Sequence, residues 1–434
     1  MLALVGFLII IVMMLLIFRS KALPAFCFAV LPIIGALICG FSLADISDFI
    51  GKGVGSTWQT AILFIFSVTY FGIMNDAGLF DKLVDGLVKK AGKNITLILI
   101  FTSIIAMIGH IDGAAATTYL ITIPTMLPIY KKMHIRPTVL LLLCGAATGI
   151  MNLVPWGGVL NRQSVTLAMD SGLLWRAYLP MQIFGWFCCV GLAVVMSRIE
   201  VRRGAGKVAV LAAGESAEAA ADPEVLALQR PKLLWYNVIL TVAVFVLLFK
   251  TSLPNYSIFM MGCVLALAVN YPNPKDQEAR LAAHAPKVIS LVATVLSAGV
   301  MVGVLNNTGM IVAMAELIIH ILPDFLCAHL HLVFAFFGGF IGLAVSPDPL
   351  YYGILPVLIE VCAQYGIPAQ SVAIAFGIGA DSCFTLAPVI ASTYLGLAVS
   401  GLSLKEHMRF SFFPLWIVGL LMIAFGCVMG YIVI

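Results

Sequence analysis

Four polar stretches interrupt the apolar runs of this 434-residue chain, and they hold the groups that could do chemistry. The first carries His110, Asp112, Gly113, Thr117 and Thr118. The second carries Asn152, Pro155, Trp156, Gly157 and Gly158, with Arg162 following. The third holds Ser346, Pro347, Asp348, Pro349 and Tyr351, and the fourth Asp381, Ser382, Thr385 and Pro388. Glycine and proline at such places break helices and leave backbone N–H groups without intrahelical partners. A helix N-terminus of this kind, with hydroxyl and amide side chains beside it, holds an anion such as a carboxylate without needing a buried lysine or arginine. Thr117, Thr118, Asn152, Trp156, Gly157, Gly158, Ser346, Tyr351, Ser382 and Thr385 are the candidate contacts.

Asp112, Asp348 and Asp381 sit in apolar surroundings, where an ionised carboxylate is costly unless paired, metal-bound or protonated. That is how a proton or cation relay behaves. Capping of a half-helix is an alternative for Asp112 and Asp348; no helix terminus in the sequence accounts for Asp381. Arg162 reads as an outer gate or carboxylate contact, or as an arginine snorkelling to the interface. Trp156 either lines a site or packs. Catalytic triads, phosphate loops and zinc spacings do not occur, so enzymatic chemistry has no residues to stand on.

The elements that position these groups cross a membrane. The chain is 62% hydrophobic and 10% charged, whereas a soluble domain carries about a quarter of its residues as charges. Residues 1–18, 23–40, 177–197 and 410–433 approach or exceed the roughly 20 needed to span a bilayer as helix. Ten spans are expected, near 1–18, 23–40, 57–76, 137–156, 177–197, 232–249, 255–270, 287–308, 371–395 and 410–433. Between them, 94–109 with 114–130, and 329–344 with 350–362, read as two re-entrant hairpins whose polar tips stop at mid-membrane. The first helix has no basic segment before it and reads as retained rather than as a cleaved signal. The ten cysteines fall almost entirely in apolar runs and read as small buried hydrophobes. No basic domain offers a nucleic-acid surface.

The chain also repeats itself. Gly72, Asn75 and Gly78 recur as Gly303, Asn306 and Gly309; Pro124, Ile135 and Gly145 are echoed by Pro356, Ile367 and Gly377. Such duplication in an apolar chain points to a secondary transporter with its site between the halves. Placing the Arg19/Lys21 loop in the cytoplasm puts there all of the 24 basic residues except Lys52, Arg162, Arg176 and Lys250, the bias expected of cytoplasmic loops. Both termini are then external. The segment 78–93 carries four lysines, and its counterpart 310–323 none, so the second half should be inverted. The expected fold is an all-α polytopic membrane protein: repeat 1–197, cytoplasmic linker 198–231, repeat 232–434.

Several stretches resemble one family. Met1–Phe7, Gly72–Gly78, His110–Gly113, Met151 through Gly158, Tyr351–Pro356 and Ser392–Leu395 together resemble the citrate–divalent metal:proton symporters of the ion transporter superfamily. The Asn152-x-x-Pro155-Trp156-Gly157-Gly158 run is the most specific piece. The resemblance implies proton-driven import of citrate complexed to Mg²⁺, Ca²⁺ or a related ion. It implies residence in the inner, cytoplasmic membrane, no bound cofactor, and a homodimer in which a transport domain moves against a scaffold. Departures fall at Val159-Leu160-Asn161, where the family pattern has Pro-Thr-Ala, and around Asp381, Phe384 and Leu386-Ala387-Pro388. Asp381 is either the proton carrier or a ligand of the co-transported metal. Another di- or tricarboxylate, or a cation/proton antiport, remains the alternative.

Overall fold

The computed structural model describes residues 1–19, 22–79, 90, 92, 94–206, 227–251, 253–388 and 390–434. The described residues are helical, without strands. Most of the lysine-rich stretch 78–93 and of the linker 198–231 lies outside them.

Helices α1 (Leu2–Phe18), α2 (Pro24–Ile38) and α3 (Leu43–Asp76) open the chain. A hairpin of α4 (Ile95–Gly109) and α5 (Ala115–Lys132) follows, then α6 (Pro137–Met151), a break, α7 (Gly158–Leu167) and α8 (Ser171–Arg202). The second half runs α9 (Leu234–Lys250), α10 (Asn255–Asn270), α11 (Pro274–Asn307) and α12 (Met310–Ile321). Its hairpin is α13 (Leu330–Ala344), a tip with a π-turn at Leu350–Ile354, and α14 (Leu355–Ala363). Last come α15 (Ala369–Asp381), a break, α16 (Ala391–Ser400) and α17 (Leu404–Val428).

The order repeats at nearly fixed spacing. Leu43 and Pro274, which begin α3 and α11, are 231 residues apart; Pro137 and Ala369 are 232 apart, and Gly158 and Ala391 are 233 apart. Six helices are long and apolar enough to cross a membrane, and seven shorter apolar ones accompany them among the described residues. This is a multi-pass membrane protein.

Several expected spans differ in detail; the fourth, read as 137–156, stops at Met151. The third begins at Leu43, not near 57, because Ser42 and Asp45 form a capping box whose hydroxyl and carboxylate satisfy the first N–H groups. The eighth begins at Pro274, not near 287, with proline at the first helical position, where its missing N–H costs nothing. The ninth, read as 371–395, stops at Asp381 and resumes at Ala391.

Packing divides the helices into two groups. α3 and α11 pack along their length at the small residues Gly53, Gly299 and Gly303, with α2 and α10 against them. These helices, with α1 and α9, form a frame. The second group, α4–α8 and α13–α17, holds both hairpins packed on both broken helices: α4 on α6, α13 on α15, and α17 on α6, α8 and α15. The short helix α7 touches both groups.

Candidate functional site

A cavity of about 440 Å³ lies between frame and hairpin group, walled by both hairpin tips, both helix breaks, α3 and α11. Asn152 organises its centre. It ends α6, and its Oδ1 accepts the Gly158 N–H that opens α7, at 2.7 Å. Its Nδ2 donates to Asp381 Oδ1, at 2.8 Å, on the second half's broken helix. One amide thus spans both breaks. Gly157 makes the tight turn between them, since a Cβ there would collide with the Asn152 carbonyl oxygen. Trp156 Nε1 donates to the Ile111 carbonyl at 2.6 Å, pinning the break to the first hairpin tip, while its ring packs on Phe71 and Phe259 of the frame. It both lines the cavity and packs.

At the first tip, Gly113 takes a positive φ of 74°, and the Trp156 carbonyl oxygen lies 3.1 Å from where a side chain would begin. The Asp112 carboxylate accepts the Ala114 N–H at 2.8 Å and the Thr117 hydroxyl at 2.7 Å, and Lys287 Nζ lies 3.7 Å away. Across the cavity, Arg162 donates through Nε to Asp348 Oδ1 at 2.7 Å and through Nη1 to the Gly158 carbonyl at 2.6 Å. Arg162 is therefore a cavity wall residue tied to the second hairpin tip. Asp381 is the last residue of α15 and 6% exposed. A carboxylate at a helix C-terminus meets the partial negative charge of unpaired carbonyls, so it calls for a partner of positive charge. Among the described residues, Asp381 Oδ2 has no protein partner, nor have Tyr351 Oη, Asn161 Oδ1 and His110 Nε2, all on residues lining the same cavity. Buried polar atoms ordinarily take partners, and these four lie beneath the cavity surface rather than open to it.

Asp112, Asn152, Trp156, Gly158, Arg162, Asp348, Tyr351 and Asp381 come together at the cavity. Other candidates do not face it. Thr117 is engaged with Asp112, and Thr118 turns to His110 Nδ1 at 2.8 Å. Ser346 caps the turn before the second tip without a side-chain bond. The Ser382 hydroxyl donates to the Gly379 carbonyl and packs towards Gly419 of α17, and Thr385 packs towards Gly145 of α6. Gly157 acts through the turn. Sequence reasoning missed Lys287, Ser290 and Thr294 on α11, which line the frame side. Their i, i+3, i+7 spacing was the available signal; Lys287 had been grouped with the cytoplasmic basic residues. Among the described residues no three His, Cys, Asp or Glu side chains converge as a metal site.

The fold is shared with the solved YdaH transporter of Alcanivorax borkumensis, with a TM-score of 0.64 over 90% of each chain at 13% identity. In sequence, the chain is 35% identical over 419 residues to a citrate transporter of Bacillus subtilis, covering 96% of both chains. It is 32% identical over 412 residues to the Mg²⁺/citrate complex secondary transporter of the same organism, covering 95% of this chain and 94% of the relative. The citrate transporter family profile matches residues 1–379. With hairpins, helix breaks and acids in place, and relatives alike over nearly their whole length, the chain belongs to the citrate transporter family, a family of transporters rather than enzymes.

Proposed function

We propose that this protein is a secondary transporter that imports citrate as its complex with a divalent cation such as Mg²⁺, driven by protons. The observation that carries the reading is the mixed charge of the cavity wall: Arg162 and Lys287 beside Asp112, Asp348 and Asp381. Free citrate is a trianion and would meet more carboxylates than cations there. Its complex with a divalent cation is a monoanion with both signs exposed, which suits such a wall. A cavity of about 440 Å³ is in the range that holds a small molecule. The names of the two relatives support citrate and, for one, its Mg²⁺ complex.

In this reading the hairpins are re-entrant, the two halves are inverted repeats joined by a cytoplasmic linker at 198–231, and both termini face outward. The hairpin group carries the cargo past the frame in an elevator movement, within a homodimer in the cytoplasmic membrane. Asp381, unpaired at Oδ2, carries the proton or meets the metal.

Uptake of labelled citrate into proteoliposomes tests this. It should require both the divalent cation and an inward proton gradient. Equal uptake without metal, or indifference to the gradient, would sink it. Asp381→Asn then separates the two roles. A proton carrier loses accumulation against a gradient but keeps exchange, whereas a metal ligand loses exchange as well. Unchanged accumulation and pH dependence would make Asp381 structural.

A further inference from the structure

Lys287 stands apart from the other charges of the cavity. Helix α11 begins at Pro274 in a charged, polar stretch, and Lys287 stands where its apolar part begins. Lys287, Ser290 and Thr294 share one face of α11 and line the cavity. Asp112, Arg162, Asp348 and Asp381 all stand on the hairpin group. Among the described residues, Lys287 is the one charged side chain that the frame contributes to this wall.

Its partner is the first hairpin tip. Lys287 Nζ is 3.7 Å from Asp112 Oδ2; the lysine side chain is 48% exposed and the aspartate 11%. That separation exceeds a short hydrogen bond, so the pair is exchangeable. The tip does not need the amine for its shape, because the Ala114 N–H and the Thr117 hydroxyl already hold the carboxylate. What the pair does is connect the two groups of helices across the cavity.

We propose that Lys287 and Asp112 form a charge latch that ties the first hairpin to the frame in the empty protein, and that cargo bearing a divalent cation releases it by taking over Asp112. Lys287 is thus a positioning residue: it discourages movement of the unloaded carrier and makes movement depend on the cation. The release rests on the metal–citrate reading; the latch in the empty protein rests only on the proposed movement of the hairpin group past the frame.

A water-soluble carbodiimide, which joins an amine to a carboxylate only when they touch, tests both parts. Lys52 and Asp48, 2.7 Å apart on α3, serve as the internal standard. In empty protein, peptide mass spectrometry should find the Lys287–Asp112 link, and Mg²⁺ with citrate should lower its yield by about threefold or more. In proteoliposomes, Lys287→Met should raise the share of citrate movement that needs no metal, while Lys287→Arg, which keeps the charge, should not. Failure of the link where Lys52–Asp48 forms would overturn the latch. So would a Lys287→Met protein that moves citrate as Lys287→Arg does. A link that forms in a protein unable to bind citrate would uphold the latch and refute the cargo reading instead.

Discussion

The two hairpin tips each present one aspartate to the cavity, and the two are held differently. Asp348, 16% exposed, pairs at 2.7 Å with Arg162, 24% exposed, on α7 of its own group. Asp112 leans at 3.7 Å on Lys287, which belongs to the frame. The tips also turn by different means. The first uses the positive φ of Gly113, and its aspartate accepts its own loop's N–H. The second uses Pro347 and Pro349, which have no N–H to give, so Asp348 reaches across to the guanidinium. In the elevator movement proposed above, a pair internal to the hairpin group travels with it, whereas a pair shared with the frame must break when the groups part. On that reading one acid builds the site and the other controls its movement.

Arg162→Leu should do the most damage. It strands Asp348 without its partner and frees the Gly158 carbonyl, and losing one side of a buried pair costs about 3 kcal/mol or more. Citrate uptake should fall roughly a hundredfold, measured as initial rates in proteoliposomes. A milder effect than that of Lys287→Met would reverse the assignment of the two pairs.

Asn152→Ala removes the amide that joins both halves, taking one hydrogen bond from Asp381 and one from Gly158. Losing a hydrogen bond to a charged group costs about 1.5–3 kcal/mol. Citrate affinity should drop roughly ten- to a hundredfold by equilibrium binding, with the protein still folded. Wild-type affinity would move the site away from the breaks.

The smallest effects sharpen the comparison directly. Asp348→Asn leaves Arg162 facing a neutral amide and should cost about tenfold in uptake. Asp112→Asn keeps an oxygen for the Ala114 N–H and should cost only about threefold. Its larger signature should be weaker dependence on the divalent cation. Equal losses in the two variants, with equal metal dependence, would erase the distinction between the tips.

Much of this was legible in the sequence. Gly and Pro marked the breaks at 152–157 and 382–388, three acids in apolar runs marked the cavity, and the offset of about 231 residues foretold the repeated order of helices. Side-chain direction at the breaks was not legible. A break resets helical phase, so nothing in the spacing said that Ser382 and Thr385 would turn towards α17 and α6. It also hid the partners of Arg162, a residue the sequence does single out: α7, restarting at Gly158, brings it back one turn later to Asp348 and the Gly158 carbonyl. Lys287 was lost for another reason. Its helix begins at Pro274 in a charged, polar stretch that lowers the hydropathy there, so hydropathy alone starts the span at 287, where the cavity wall lies.

Electron cryo-microscopy of the protein with Mg²⁺ and citrate tests most directly whether citrate rides, with its metal, in the cavity between frame and hairpin group. Density for the complex should fall among Arg162, Asn152 and Asp381, with the metal against a carboxylate of the wall. Density in a second large cavity, beside Arg176 and Lys250, with the Arg162 cavity left empty, would contradict that placement.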